Sequence, residues 1–190
     1  MQIVTASGTD VWVSSEEMIK LGIYVMPLTV TLDGVSYREG RDIQADDFYR
    51  LLAETDSLPI TSQPSAGDFE EIYRRLAVND PDILSIHISS GLSGTVNSAR
   101  TAAQYVKEAN VTIVDTNTLS AAIERISQAA ESVYTLKELK YLIHGGRISH
   151  IKGLIASVLN IKPLIGVEKE GGTYVQLGQT RSFKRAMRGL

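Results

Sequence analysis

The chain has 190 residues, which is enough to bury a hydrophobic core in one large domain or two small ones. Its 19 basic and 22 acidic residues give a net charge of -3, which argues against a general electrostatic attraction to nucleic acid or to anionic membranes. The absence of cysteine excludes disulfides and thiolate chemistry, and the presence of only three histidines argues against a histidine-rich metal centre.

The first residues do not resemble a targeting segment, because they lack the basic and apolar regions of a signal peptide. The longest apolar stretches, 21–32 and 153–167, are interrupted by Pro27 and Lys162 and are too short to span a bilayer. We therefore expect a cytoplasmic protein that binds no nucleic acid and makes at most transient contact with a membrane.

The first two thirds of the chain predict alternating strands and helices. Ser14 and Glu17 form a capping box, Asp33-Gly34 is typical of a tight turn, and Ser65 is a further helix cap. The predicted strands are 3–5, 24–32, 35–37, 83–88 and 111–114, and the first two predicted helices are 16–21 and 46–52.

Two more helices are predicted from apolar residues that recur at helical spacing. These residues are Phe69, Ile72, Tyr73 and Leu76 in the first helix and Val96, Ala99, Ala103 and Val106 in the second. Because strand, loop and helix alternate, the predicted fold class is α/β, with a mostly parallel N-terminal sheet and flanking helices.

The last third of the chain predicts a different arrangement. Thr135 and Glu138 form another capping box, Gly145-Gly146 ends the helix that follows, and the pattern of 148–159 is also helical.

A β-hairpin is predicted after these helices, since residues 163–168 and 173–178 flank Glu170-Gly171-Gly172. We therefore expect an N-terminal α/β domain at 1–134 and the start of a C-terminal α+β domain at 135–190.

The segment "SIHISSGLSGT" begins within the predicted strand 83–88 and continues into a loop with three serines, Ser89, Ser90 and Ser93. It is not a nucleophile elbow, because Thr95 stands where that motif has its second glycine, and it lacks the lysine of a P-loop. A triad of Ser93, His87 and Asp115 is an alternative, although His87 lies within the strand. An anion at the start of the next helix suits the loop, since Gly94 lets a ligand approach the backbone N–H groups. Serines that only cap the helix fit the loop equally well.

A second loop, "TSQPS", places Thr61 and Ser62 shortly before a helix. Alone, these residues are typical of turns and caps. Two such loops at one sheet edge can converge on a single group. Neither loop offers a general base or a metal cluster, so the pattern favours binding over catalysis.

The sequence contains two charged clusters, and the simplest interpretation is that both lie on solvent-exposed surfaces. They are the acidic Asp42, Asp46 and Asp47 and the basic Arg181, Lys184, Arg185 and Arg188. The acidic residues lack the spacing of a metal site. The basic residues recur at helical spacing, so a docking face or an anion contact is the alternative.

Taken together, these segments resemble the DegV family of bacterial fatty-acid-binding proteins. The matching pieces are "VMPLTVTLDGVSYREG", "TSQPSAGDFEEIY", "IHISSGLSGTVNSA", "VDTNTLS", "LKYLIHGGRIS" and "LNIKPLI". The resemblance implies a two-domain, non-catalytic carrier that holds one long-chain fatty acid, such as palmitate or a C18 acid, in a buried tunnel without a cofactor. It also implies a partner, a separate ATP-dependent fatty-acid kinase that makes the acyl-phosphate.

The resemblance assigns the fatty-acid carboxylate to the hydroxyls of Thr61 and Ser93, and we add Ser62 and Gly94 beside them as ligand-binding residues. Arg181 resembles a basic position of the second domain that faces the head group or the kinase. No residue receives a catalytic or metal-binding role. The alternative is a serine-dependent hydrolase or acyl-transfer enzyme that uses Ser93.

The chain departs from the family pattern at three places. Ala6 stands where the family usually has an acidic residue, which puts a role for the 5–10 loop in doubt. The family also has more chain between 120 and 134 and beyond 190. We therefore expect either further residues outside this sequence or a tunnel that is open on one side.

Overall fold

A computed structural model describes residues 1–9, 11, 13–119, 133–135, 140–148 and 162–184. Within these residues the chain forms strands and helices in three sheets. In chain order they are β1 Gln2–Ala6, α1 Ser15–Leu21, β2 Ile23–Met26, β3 Thr29–Leu32, β4 Val35–Arg38, α2 Ala45–Ala53, β5 Ile60–Ser62, α3 Ala66–Ala77, β6 Asp82–His87, α4 Thr95–Tyr105, β7 Asn110–Asp115, β8 Val133–Thr135, α5 Lys140–His144, β9 Lys162–Val167 and β10 Tyr174–Thr180.

The largest sheet is parallel and has the strand order β2-β1-β6-β7. Helices α3 and α4 pack against it through a buried apolar cluster, so the predicted helical faces are confirmed. The cluster consists of Val4, Phe69, Ile72, Tyr73, Leu76, Ile83, Ala99, Ala102 and Val106. The carboxyl ends of β6 and β7 therefore share one edge, where ligands commonly bind in open α/β sheets.

A small antiparallel sheet with the order β4-β3-β5 corrects two predictions. The strand predicted over 24–32 is two strands in different sheets, and the break falls at Pro27 and Leu28. Proline has no N–H for a ladder, and the backbone N–H of Leu28 donates instead to Ser7 Oγ at 2.9 Å. Thr61 and Ser62 lie in the short strand β5 opposite Val30 and Thr29, not in a loop.

The third sheet is antiparallel, with the order β10-β9-β8, and confirms the predicted hairpin. Its turn contacts the serine-rich loop of the parallel sheet, since Ser89 Oγ donates to the carbonyl oxygen of Gly172 at 2.7 Å. A Cβ on Gly91 would lie 2.5 Å from the Gly171 carbonyl oxygen. The hairpin turn and the loop are therefore in close backbone contact. The domain division at residue 134 stays a prediction.

Local capping signals explain where the helices begin and end. Ser14 and Ser65 both form capping boxes, with Glu17 and Asp68 respectively. Gly146, the second residue after α5, has a φ of 71°.

Several predictions fall on other parts of the chain. Thr135 is the last residue of β8, and its predicted capping partner Glu138 lies outside the described residues. The helix predicted over 148–159, apart from Ile148, and the basic Arg185 and Arg188 also lie outside them. In the part of the chain that the structure describes, no helix is long and apolar enough to cross a membrane.

The hairpin contact predicts a stability difference between two glycines. Gly172 and Gly40 both have positive φ, 60° and 72°, but only Gly172 would place a Cβ against Ser89 Oγ, while Gly40 faces open space. We expect Gly40→Ala to lower the free energy of unfolding by about 1 kcal/mol through backbone strain. Gly172→Ala should lower it by about 3 kcal/mol, because overlap is added to strain. Urea unfolding of both variants measures the difference, and equal losses would contradict the contact.

Candidate anion-binding site

The two hydroxyl-bearing segments meet at the start of α4. Gln63, two residues after Thr61, lies so close to Gly94 that a Cβ on Gly94 would be 2.7 Å from Gln63 Nε2. Gly94 is the N-cap of α4 and follows Ser93 directly. The two segments are therefore in contact through Gln63 and Gly94, although Thr61 belongs to the small antiparallel sheet and not to the edge of the parallel sheet. Convergence of Thr61 and Ser93 on one group stays a prediction.

Ser93 is half-buried and belongs to a small hydrogen-bond group with Thr95. The Ser93 and Thr95 hydroxyl oxygens are 2.8 Å apart, and the Thr95 backbone N–H donates to Ser93 Oγ at 3.3 Å. Because Gly94 has no side chain to cap α4, the first turn of this helix also offers backbone N–H groups. This arrangement suits an anion and supplies no base.

Arg147 is a site residue that sequence reasoning missed. Its guanidinium donates to the Gly145 carbonyl oxygen at 3.1 Å and to Thr61 Oγ1 at 3.3 Å. No carboxylate of the described residues lies within ion-pair distance of it. Arg147 therefore places a positive charge beside the hydroxyl of Thr61. The only signal in the sequence is its place after Gly145-Gly146.

Arg181 and Ser62 are placed differently. Ser62 is exposed and pairs with Thr29 at the end of β5, next to Thr61. The strand β10 runs for seven residues away from the hairpin turn, about 20 Å at the usual rise per residue. Arg181 is exposed beyond the far end of this strand, so the structure does not bring it to Ser93. Its role stays a prediction.

His87 does not form the considered triad. Its Nε2 lies 2.8 Å from Ser85 Oγ, which in turn is 2.7 Å from the Tyr73 hydroxyl, and these three residues are fully buried. Burial lowers the pKa of His87 to about 4, partly offset by Asp115, and raises the pKa of Tyr73 to about 12. The imidazole is therefore neutral, and its described partner is Ser85 and not Ser93.

A buried apolar cluster adjoins the site through one residue of the serine-rich loop. Leu92, directly before Ser93, is buried in a second apolar cluster with Ile148, Ile165 and Tyr174. A hydrophobic tail next to Ser93 would therefore meet apolar side chains from the third sheet.

A cleft of about 980 Å³ lies between α3, β2 and the turn after β4, and Gln63 is part of its lining. The lining combines the charged residues Arg38, Glu39, Arg41, Asp68, Glu71 and Arg75 with apolar residues such as Met18, Met26 and Ile72.

The acidic residues 42, 46 and 47 behave as surface charges. Asp42 pairs with Arg38 at 2.9 Å and Asp47 with Arg50 at 2.8 Å. Among the residues that the structure describes, no group of three or more potential metal ligands is found.

The sequence profile of a family described as "Uncharacterised protein, DegV family" matches residues 1–130 and 118–190. The chain belongs to the DegV family. A DegV domain-containing protein of Staphylococcus aureus (strain N315) is 36% identical over 186 residues. The match covers 85% of this chain and 65% of that protein, so the chain spans about two thirds of this DegV relative.

Two solved structures of similar fold confirm the α/β fold class. A structure named for fatty-acid binding of a DegV family protein from Thermus thermophilus is 30% identical, with a TM-score of 0.81, and the match covers 98% of this chain and 74% of that protein. A stearic-acid-binding protein from Eubacterium ventriosum is 25% identical, with a TM-score of 0.83, and the match covers 99% of this chain and 73% of that protein. The DegV fold is thus present over nearly the whole chain.

The buried His87 predicts a pH-dependent stability. Because its pKa is about 4 in the folded protein and about 6.5 when unfolded, the unfolded state binds the extra proton as the pH falls. The stabilisation is complete above about pH 6.5, and about 3 kcal/mol of it is lost between about pH 6.5 and pH 4.

Urea unfolding at pH 7 and at pH 4.5 measures this loss. His87→Gln, which does not titrate, should show a smaller difference between the two pH values. The control variant His144→Gln changes an exposed histidine of α5 and should keep the full difference. An unchanged pH dependence in His87→Gln would contradict the assignment.

Proposed function

We propose that this DegV family protein binds one long-chain fatty acid and holds its carboxylate at Thr61 and Ser93. The observation that carries the proposal is the contact between the segments of Thr61 and Ser93 through Gln63 and Gly94, together with Arg147 beside Thr61. Arg147 has no carboxylate partner among the described residues. The solved relatives named for fatty-acid and stearic-acid binding support the same ligand class.

The donor set suits a carboxylate. The hydroxyl groups of Thr61 and Ser93 donate hydrogen bonds to its oxygens, and Arg147 places a positive charge beside Thr61. Ser62 and Gly94 are the sequence neighbours of these two residues. The tail supplies most of the affinity, at about 0.8 kcal/mol for each buried CH₂ group. The apolar cluster around Leu92 provides a first apolar surface next to the head group.

Presentation of the acid to a separate fatty-acid kinase is the second part of the proposal. The protein itself is then a carrier without a cofactor, and the phosphoryl transfer takes place on the partner, in the cytoplasm. Arg181, exposed beyond β10 and away from Ser93, is better placed for the kinase than for the head group. The neutral, Ser85-bound His87 disfavours the alternative of a hydrolase that uses Ser93.

Extraction of the purified protein with organic solvent, followed by mass spectrometry, tests ligand identity. We expect a fatty acid of about 16 to 18 carbons in near-stoichiometric amount, because a chain of that length binds tightly. Folded protein that contains no fatty acid and takes up none when it is added would contradict the proposal.

The site is tested by two serines of the same loop. Ser93→Ala should weaken fatty-acid binding about tenfold, since a hydrogen bond to a charged group is lost. Ser90→Ala is the matched control, because Ser90 is exposed and its backbone N–H is what contacts Asp115, at 3.2 Å. Its affinity should stay within about twofold of the wild type. Fluorescent fatty-acid displacement measures both, and equal affinities would contradict the role of Ser93.

A further inference from the structure

The Thr61 hydroxyl has a defined direction. Arg147 donates to Thr61 Oγ1 at 3.3 Å, and a guanidinium cannot accept a hydrogen bond in return. The hydroxyl hydrogen of Thr61 must therefore point away from Arg147. Within the described chain no acceptor receives this hydrogen. With respect to the described residues, Thr61 thus presents a hydrogen-bond donor beside Arg147.

Ser93 is arranged in a related way by Thr95. Thr95 is only 2% exposed, and the contact of its hydroxyl is Ser93 Oγ at 2.8 Å. Either oxygen can be the donor in this contact. Because a buried hydroxyl is destabilised when its hydrogen has no acceptor, donation from Thr95 to Ser93 is the favoured direction. The Thr95 backbone N–H approaches the same oxygen at 3.3 Å. With its oxygen accepting twice, the half-buried Ser93 directs its own hydrogen towards a ligand.

We infer that Arg147 and Thr95 are positioning residues that turn the hydroxyls of Thr61 and Ser93 into dedicated hydrogen-bond donors. The inference rests on the proposed function and adds a reason for head-group selectivity. A site whose hydroxyls only donate binds an ionised carboxylate well, because each carboxylate oxygen only accepts. It favours the carboxylate over an alcohol, because the alcohol oxygen is uncharged and the alcohol hydrogen finds no acceptor in two hydroxyls that only donate. Donation along the chain from Thr95 through Ser93 also strengthens the last hydrogen bond.

The competing explanation is that Arg147 acts directly as the counter-charge of the carboxylate. The two explanations differ in how Arg147 depends on Thr61. If Arg147 acts through the hydroxyl, its removal has no further effect once that hydroxyl is gone. If it acts directly, the two losses add.

A double-mutant cycle with Arg147→Met and Thr61→Val separates the explanations. Affinities for oleate and for oleyl alcohol are measured by displacement of a fluorescent fatty acid. Each single variant should weaken oleate binding about tenfold, and the double variant should be no more than about threefold weaker than Thr61→Val alone. Oleyl alcohol, which reports the tail and the intact fold, should change less than about twofold in every variant.

Thr95 provides the second arm of the test. Thr95→Val should weaken oleate binding about fivefold, while Thr95→Ser, which keeps the hydroxyl, should restore it. In a Ser93→Ala background Thr95→Val should add no further loss.

Additive losses in the Arg147 cycle, or a Thr95→Val variant that binds oleate like the wild type, overturn this inference and leave the proposed function intact. Wild-type protein that binds neither oleate nor oleyl alcohol overturns the proposed function and this inference with it.

Discussion

Close approach of the backbone at three glycines holds the three sheets around the start of α4. Gly94 accommodates the Gln63 amide from the end of the small antiparallel sheet, and Gly91 and Gly172 bring the hairpin turn against the serine-rich loop. A methyl group at Gly91 would overlap the hairpin backbone and one at Gly172 would overlap Ser89, so either would separate the hairpin turn from the loop, whereas one at Gly94 would displace only the exposed Gln63 side chain. The candidate site consists of residues from these same elements, so its geometry depends on the packing of glycines that contribute no side chain of their own.

This packing explains how one short loop serves two environments. Leu92 is buried in the apolar cluster of the third sheet, whereas Ser93 lies half-buried beside the helix start. A ligand with a charged head and an apolar tail matches this change of polarity over a single residue. The tail gains free energy from burial, while the head group needs donors that replace its lost hydration. The hydroxyls of Thr61 and Ser93 offer those donors, and no carboxylate of the described residues lies within ion-pair distance of Arg147 beside Thr61.

Local signals in the sequence predicted the parts of this fold that depend on neighbouring residues. The capping box at Ser14, the helix cap at Ser65 and the apolar face of α3 are set within one or two helical turns, and they are confirmed. The assignment of β2 and β3 to different sheets was missed, because it depends on the distant partners of each strand. Arg147 was missed for the same reason, since 86 residues separate it from Thr61. Strand direction, which no local pattern specifies, sends Arg181 away from the site.

The contrast between Ser93 and His87 shows why residue types alone did not decide between binding and catalysis. Serine, histidine and aspartate all occur near one sheet edge, as a hydrolase requires. However, the side chains of β6 alternate between the two faces of the sheet, and His87 points with Ser85 into the core against Phe69. There burial keeps the imidazole neutral, and its Nε2 is engaged by Ser85. The described partners of Ser93 Oγ are the hydroxyl and the backbone N–H of Thr95, and neither is a general base. A serine without a general base keeps its proton, and such a hydroxyl can donate to an anion but does not attack as a nucleophile.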